Sequence, residues 1–265
     1  MSSAQKILLL SIAAVLTFFG LFLVPPIPQP PAFHHFADTR TVWGIPNFSN
    51  VATNIPFLLV GYAGLSRVLL SPSGVSAKLA YAVLFAGVLL TGLGSAYYHW
   101  APDNDRLVWD RLPMTIVFMS LLSAIVSQLV SRRLGNVLLV PVVLIGIGSV
   151  LWWHYTETQG HGDLRLYLWV QFFPMLAIVL LLILYYQPTL KPVLRVLLKI
   201  VIWYAIAKAL EQLDYPIFRA LRISGHALKH LAAMVSTAYF IVLFRLHNPT
   251  QPDLVSEKAH TSSIN

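Results

Sequence analysis

Long apolar runs separated by short polar loops recur along the chain, and they constrain its fold more than any other feature. The sequence is 57% hydrophobic and only 11% charged, whereas a soluble domain carries about a quarter charged residues. The runs are too long and too unbroken for barrel strands of roughly ten alternating residues. A chain in a bilayer must satisfy its backbone hydrogen bonds internally, and helices do so within one segment. The sequence therefore predicts an all-α integral membrane protein.

Eight apolar runs predict eight membrane helices, one at the N-terminus and seven forming a core. A signal peptide is the alternative for the first run, but the run is long for that role and no small-residue cleavage site follows, which favours a retained helix. We expect an N-terminal helix with a Pro-rich linker (1–35), a seven-helix domain (36–247) and a polar tail (248–265). The predicted helices lie at about 7–24, 47–65, 79–100, 110–130, 137–155, 166–186, 196–213 and 226–244.

The charged residues of the loops predict the topology. If successive loops alternate sides, one side receives ten Lys and Arg residues and the other receives six. The positive-inside rule then places both termini in the cytoplasm. The third, fourth and eighth helices carry His99, Asp110 and His226 at the ends that would lie in the outer leaflet. The net charge of +8 reflects these loops, and since no run of basic residues occurs, a nucleic-acid partner is not expected.

Two pairs of polar residues share a spacing that places both members on one helix face. Ser95 and His99 are four residues apart, and so are His226 and His230, which puts each pair one helical turn apart. Ionisable groups at membrane depth are costly and indicate function by default. We interpret His99, His226 and His230 as the ligands of one metal ion, with Ser95 and Asp110 beside it. The alternative is that each histidine is simply buried and hydrogen-bonded.

This set of side chains suits hydrolytic chemistry at zinc. Catalytic zinc often has three protein ligands and one open position, and it activates a bound water near neutral pH. Asp110 would take the proton and pass it to a leaving amine, and Ser95 would donate to the developing oxyanion or hold the water. The chain has no cysteine, so thiolate ligands are excluded, but imidazole ligands do not exclude iron or manganese.

Three further charged residues of the apolar runs allow either a functional or a structural interpretation. Asp214 is predicted to orient a ligand histidine from behind, and its alternative is an ion pair with Arg111 or Arg219. Lys208 and Glu211 are three residues apart and are expected to pair with each other.

The remaining asparagines and histidines are expected to have structural roles. Asn47, Asn50 and Asn54 share a helix face and are expected to join helices. His154, near a helix end, is a weaker spare ligand. The other histidines are expected to be solvated: His34, His35, His161, His247 and His260.

The combined motif resembles the alkaline ceramidases of the CREST superfamily of seven-helix membrane hydrolases, which also includes lipid hydrolases that remodel GPI anchors and progestin/adiponectin-type receptors. The residues that carry the resemblance are 92–99 (GLGSAYYH), 110–114 (DRLPM) and 213–214 (LD) with 226–230 (HALKH). Residues 36–54 are similar to the bacterial and plant-like members. The resemblance covers roughly residues 36–245.

The resemblance implies a zinc-dependent amidohydrolase that cleaves ceramide-like N-acyl lipids into a fatty acid and a sphingoid-type amine. His99, His226 and His230 would hold the zinc, with Ser95 and Asp110 as catalytic residues. The lipid would enter laterally from the bilayer, and the expected location is the inner membrane of a bacterium. The animal enzymes have an acid-rich calcium site near the N-terminus; here the corresponding segment offers only Asp38 among acids, so calcium is not expected.

Three alternatives remain open from the sequence. A lipid-ester hydrolase of the same fold would have the same motif. A receptor-like membrane protein would use the zinc structurally, so that Ser95 and Asp110 would have no turnover to support. A transporter would relay protons through Lys208, Glu211 and Asp214.

Overall fold

A computed structural model describes residues 1–72, 74–75 and 77–248, and its helices follow the apolar runs. Within these residues there is no β-strand, only an isolated bridge between Val42 and Ile45. The predicted tail lies outside the described residues except for Asn248. The helices are α1 (Ser3–Gly20), α2 (Phe48–Ala52), α3 (Ile55–Leu70), α4 (Lys78–Trp100), α5 (Asn104–Leu129), α6 (Arg132–Thr158), α7 (Arg165–Leu184), α8 (Lys191–Gln212), α9 (Asp214–Leu221) and α10 (Gly225–His247), with short 3-10 turns at Leu21–Leu23, Pro31–His34 and Pro188–Leu190.

Among the described residues, seven helical segments are long and apolar enough to cross a bilayer: α1 with its 3-10 turn, α2 with α3, α4, α5, α6, α7 and α10. The remaining long helix, α8, has 22 residues, which gives a length of about 33 Å, but it carries several lysines and arginines. The prediction of an all-α integral membrane protein is confirmed. Seven long helical segments follow the N-terminal helix among the described residues when α8 is counted with the six that meet the length and hydropathy limits.

Several helix boundaries differ from the prediction by a few residues, and one difference has a clear local reason. The fourth predicted helix begins at Asn104 rather than at Asp110, because the Asp103 side chain accepts a hydrogen bond of 2.7 Å from the backbone N–H of Arg106 and caps the helix. The run predicted at 47–65 is divided into α2 and α3 at Thr53. The helix predicted at 196–213 ends at Gln212, and α9 begins separately.

Helix α5 lies at the centre of the bundle. It packs against α4, α6 and α7, while α10 packs against α8 and α3. Most of the side chains of α5 are buried. The Ser120 hydroxyl donates to the carbonyl of Ile116 in its own helix at 2.6 Å, whereas the Ser123 hydroxyl donates to the carbonyl of Gly135 in α6 at 2.9 Å. The outward faces of the other helices expose large apolar side chains, which a lipid environment would cover.

Residues 25–40, here called the N-terminal arm, cross the end of the bundle at which α4 ends and α5 and α10 begin. The backbone N–H of Leu164 donates to the carbonyl of Ile27 at 2.9 Å. The arm also buries Phe36 and Asp38. In contrast, α1 packs mainly against α7 and buries none of its residues. The domain boundary predicted at residue 35 remains a prediction.

Candidate metal centre and active site

Three histidines from two helices meet at one point inside the bundle. His99, near the end of α4, is fully buried, and His226 and His230, in the first turns of α10, are 5% and 3% exposed. One ring nitrogen of each lies within 4.8 Å of the others. The Nε2 atoms of His99 and His226 are 3.3 Å apart, and two nitrogens bound tetrahedrally to one zinc ion at about 2.0–2.1 Å would lie about 3.3–3.4 Å apart.

The hydrogen bonding of the rings is also compatible with a shared cation. His230 Nδ1 contacts the Thr53 hydroxyl at 2.9 Å, while its Nε2 is buried without a partner. His99 Nδ1 is likewise buried without a partner. Buried polar atoms in native proteins normally have partners, so these rings are incompletely satisfied by the described chain. A divalent cation shared by the rings would satisfy the nitrogen of His230.

Two glycines allow the helices to bring these residues together. A Cβ on Gly94 would lie 1.9 Å from the carbonyl oxygen of Trp109, so only glycine permits α4 to lie this close to α5 beside Ser95 and Asp110. A Cβ on Gly225 would lie 2.7 Å from the Cα of Asp214. The two close approaches flank the histidines, and they place the site where α4, α5 and α10 converge.

Ser95 and Asp110 lie together beside the histidines. Both side chains are buried, and they line one cavity with His230. The Ser95 hydroxyl faces the Asp110 carboxylate across the contact between α4 and α5. Beyond these groups the cavity is walled by apolar side chains, among them Phe57, Val88, Val117, Phe118, Ile200 and Phe240. Ser95, Asp110 and His230 therefore border one largely apolar space, whereas His99 and His226 are not among its lining residues.

Asp214 fixes the start of α10 and does not contact the imidazole of a ligand histidine. Its Oδ1 accepts from the backbone N–H of His226 at 3.0 Å and from the Ser224 hydroxyl at 2.9 Å. Its Oδ2 accepts from the backbone N–H of Ala37 at 2.9 Å. The alternative, an ion pair with Arg111 or Arg219, does not occur among the described residues. Asp214 thus positions His226 through the main chain, and its proposed influence on metal binding remains a prediction.

Thr53 was missed as a partner of the site, although the nearby asparagines were noticed. Asn47 donates through Nδ2 to the carbonyl of His99 at 2.9 Å, and Asn54 donates to the carbonyl of Asn50 at 2.7 Å. Asn47 thus joins the start of α2 to α4, as expected. Asn50 joins the start of α10, because its Oδ1 accepts from the Ser224 hydroxyl at 3.1 Å, whereas the bond of Asn54 is local. The break between α2 and α3 presents the Thr53 hydroxyl to His230, and no periodic pattern predicts that break.

Lys229 is a second residue that the sequence interpretation missed. Its Nζ lies 3.2 Å from Nε2 of His226 and 2.9 Å from a carboxylate oxygen of Glu211. The predicted pairing of Lys208 with Glu211 is confirmed at 2.6 Å, so one carboxylate holds two ammonium groups. Lys229 lies between the two histidines of the HALKH motif, and that position was the available signal.

The N-terminal arm covers the histidines. The ring of Phe36 lies 4.7 Å from that of His99 and 4.6 Å from that of His226, measured between centroids. His34 contacts the Tyr98 hydroxyl at 3.0 Å and Oδ1 of Asn104 at 2.9 Å. The prediction that His34 is solvated is therefore wrong, because the arm packs it against α4 and α5.

The other histidines lie away from the cluster. His247 is partly buried against Tyr81, with 3.0 Å between Nδ1 and the hydroxyl oxygen, so the prediction that it is solvated is also wrong. His154 pairs with Asp105 at 2.9 Å and is not a spare ligand in this arrangement. His35 and His161 are exposed, as expected, and His260 lies outside the described residues.

The segment compared with the animal calcium site is occupied by an ion pair. Both oxygens of Asp38 accept hydrogen bonds from the Arg40 guanidinium, at 2.8 and 2.7 Å, and the Ser49 hydroxyl donates to one of them at 2.8 Å. These contacts, chiefly the bond from Arg40, hold the pKa of Asp38 below its ordinary value. The single carboxylate of this segment is thus already neutralised by a cation of the chain.

Comparison with known proteins supports one family. The family model described as Ceramidase matches residues 41–254. No curated protein and no solved structure gives a significant match. The matched region contains α2 to α10, with all three histidines, Ser95 and Asp110, whereas α1 and the N-terminal arm precede it. Because the match covers well over half of the sequence, the chain belongs to the ceramidase family, as the motifs predict.

Proposed function

We propose that this protein is a metal-dependent intramembrane amidohydrolase that cleaves ceramide-like N-acyl lipids to a fatty acid and a sphingoid-type amine. The observation that carries the proposal is the convergence of His99, His226 and His230, within 4.8 Å and buried, in a chain of the ceramidase family. Family membership supports ceramide hydrolysis and amidohydrolase chemistry. The metal, the roles of single residues and the preference for amides over esters are the parts proposed here.

The three imidazoles would hold the metal, and zinc is the ion we propose. Neutral imidazole nitrogens are good zinc ligands, and a site with three protein ligands leaves a position open. A bound zinc ion would polarise the scissile carbonyl and activate water for attack. Thr53 would fix the orientation of the His230 ring through Nδ1, since the ring nitrogen opposite a metal ligand is commonly held by a hydrogen bond.

Asp110 is placed to move the protons of the reaction. It would accept a proton from the attacking water and then donate it to the nitrogen of the leaving amine, a task suited to a single carboxyl group beside the scissile bond. Its burial beside Ser95 excludes bulk water from that transfer. Asp110 lines the same cavity as His230, which is consistent with this role.

Ser95 and Lys229 supply donors for oxygen atoms of the substrate. The Ser95 hydroxyl would donate to the carbonyl oxygen as negative charge develops, and preorganised donors of this kind often give a large part of catalysis. The Lys229 ammonium, held by Glu211 at 2.9 Å, would stabilise the same charge. The ion pairs of Lys208 and Lys229 with Glu211 thus have a role here that does not require proton transport.

The apolar part of the cavity would bind the acyl chain. Each methylene group removed from water contributes about 0.8 kcal/mol, but this contribution does not select one chain over another, so polar contacts near the amide must set specificity. We propose lateral entry of the lipid from the bilayer. We further propose cytoplasmic termini, a site toward the outer leaflet and, from the bacterial-type motifs, the inner membrane of a bacterium.

The first experiment measures metal in the purified protein. We expect about one zinc ion per chain in the wild type and little in the His99→Ala, His226→Ala double variant, while the pair His35→Ala, His161→Ala, which changes exposed histidines, retains it. Equal zinc content in the double variant and the wild type would reject the metal assignment.

The second experiment compares an N-acyl sphingoid base with a lipid ester of the same acyl chain. We expect turnover of the amide to depend on the metal and on Asp110. Faster turnover of the ester would replace the proposal by the lipid-ester hydrolase of the same fold. Metal binding without turnover of either lipid would favour a structural role for the metal.

A further inference from the structure

A second cavity adjoins the active site on the other side of Asp110. Most of its wall is apolar, but polar side chains also line it, among them those of Gln29, Arg111, Gln171, Lys208 and Glu211. The cavity has a volume of about 210 Å³. It shares Asp110, Tyr204 and Lys229 with the apolar cavity, so the two meet at the proposed reacting centre. Gln29 and Arg111 lie in the wall of the second cavity alone. An alkyl chain placed there would leave these polar groups without partners, which is unfavourable.

Arg111 is buried in an unusual way for a charged residue. It is 5% exposed, and its guanidinium lies over the rings of Trp153 and Tyr167, at 4.1 and 4.6 Å from their centroids. Among the described residues it makes no ion pair with a carboxylate within 4.0 Å. One amino group, Nη2, donates to Oε1 of Gln29 at 2.6 Å. The other, Nη1, is buried without a partner.

Gln29 repeats this pattern from the N-terminal arm. It is also 5% exposed, and its backbone N–H donates to the Glu157 carboxylate, which fixes the arm at this point. Its Oε1 accepts from Arg111, while its Nε2 is buried without a partner. Two residues that line one cavity and bond to each other thus each keep a buried donor group without a partner. An oxygen atom of a ligand could accept a hydrogen bond from each of these N–H groups.

We propose that Gln29 and Arg111 bind the hydroxyl oxygens on the amine side of the substrate and so select N-acyl amino alcohols over simple N-alkyl amides. The inference rests on the proposed function, because that function places the scissile amide at Asp110 and the acyl chain in the apolar cavity. The amine half is then left for the second cavity. Gln29 precedes the region matched by the family, so the N-terminal arm contributes this selectivity.

The test compares two amides in the metal-loaded, full-length protein. One is an N-acyl 2-amino-1,3-diol with a long alkyl chain, and the other is the N-acyl 2-aminoalkane of the same length without hydroxyl groups. Loss of a hydrogen bond to a buried donor costs roughly tenfold. We expect Gln29→Met to lower kcat/KM for the diol about tenfold and to leave the value for the hydroxyl-free amide within about twofold. Gln128→Met, which removes a buried amide that contacts Tyr81 far from this cavity, should leave the ratio of the two values unchanged.

A binding measurement separates this inference from the proposed function. In metal-free protein, the free 2-amino-1,3-diol should raise the thermal midpoint more than the matching alkylamine does. Gln29→Met should abolish that difference, and so should Arg111→Lys, which keeps the charge but loses the Nη1 donor. This result can be obtained even if the wild type hydrolyses no amide, in which case the proposed function fails alone.

Two outcomes would overturn the inference. Equal losses for both amides in the Gln29 variant would mean that Gln29 only supports the arm. An unchanged ratio and an unchanged midpoint difference would mean that buried water satisfies the two donors. If the Gln29 variant does not accumulate, the Arg111→Lys protein decides between these outcomes by the same measurements.

Discussion

The two ends of α10 each carry histidine that is at least partly buried. Only one end has the features of a site. At its start, His226 and His230 face His99 from α4, with ring centroids 4.8–4.9 Å apart. At its end, His247 contacts the hydroxyl of Tyr81, which Gln128 also approaches at 3.3 Å. No second histidine or carboxylate joins His247 in a metal-binding group among the described residues.

This difference shows which observation identifies function in an apolar bundle. Burial does not, because both ends bury imidazole. Unpartnered nitrogen does not either, because His247 Nε2 is as free of partners as His230 Nε2. What distinguishes the first end is convergence, since nitrogens from separate helices approach one point next to a carboxylate and a hydroxyl. Converging ring nitrogens can bind one cation together, whereas a lone buried histidine is largely satisfied by a single hydrogen bond.

The largest effect is expected from Asp110→Asn. It removes the proton acceptor but preserves the shape of the side chain, so we expect turnover to fall about 10²–10⁴-fold with the metal content unchanged. Measurement of both on the same preparation tests whether the site end of α10 is catalytic or merely binds an ion. The control is Asp105→Asn, which affects the ion pair with His154 near the surface. Undiminished turnover in Asp110→Asn would show that Asp110 is not the proton acceptor of the reaction.

A smaller effect is expected from Thr53→Val, which removes the hydroxyl 2.9 Å from Nδ1 of His230. Outer contacts of this kind change metal affinity by about 10–100-fold. Competition with a chelator of known affinity measures the change. Thr115→Val is the matched control, because Thr115 is fully buried but donates to its own helix at Leu112. An effect of equal size in both variants would show that helix packing, and not the contact to His230, controls the metal.

Gly94→Ala tests how closely α4 must approach α5 at the site end. The added methyl group would overlap the carbonyl oxygen of Trp109 at 1.9 Å, and overpacking of this kind costs about 1–3 kcal/mol. We expect a lower thermal midpoint and reduced turnover, since the shift separates Ser95 from Asp110. Gly148→Ala adds the same group where nothing lies within 4 Å and should be neutral or slightly stabilising. Equal midpoints in the two variants would contradict the close approach.

The fold and most of the candidate site could be predicted from the sequence because both depend on regular helices. Apolar run length sets the spans, and a spacing of four residues pairs His226 with His230 on one face. The meeting of the pair with His99 required only that the helix ends share one side of the membrane. Regular helix periodicity thus allowed a contact to be predicted between residues more than a hundred positions apart in the sequence.

The parts that could not be predicted depend on irregular backbone. The break at Thr53, the separate start of α9 at Asp214 and the path of the N-terminal arm follow from individual hydrogen bonds that have no period in the sequence. Gln29 belongs to a proline-rich stretch that composition alone describes as a linker. Gln29 lies beside Arg111 only because the arm crosses the end of the bundle, and the sequence does not predict that path.

The smallest effect is expected from His247→Gln, and it completes the comparison of the two ends of α10. Glutamine can still bond to the Tyr81 hydroxyl, so we expect a loss in unfolding free energy of no more than about 1 kcal/mol. Metal content and turnover should stay within about twofold of the wild type, because effects of distant sites are independent. Thermal unfolding, metal analysis and the amide assay on one preparation measure all three. If His247→Gln instead released the metal, the two ends would be coupled along α10, and convergence of ring nitrogens would no longer be sufficient to locate the site.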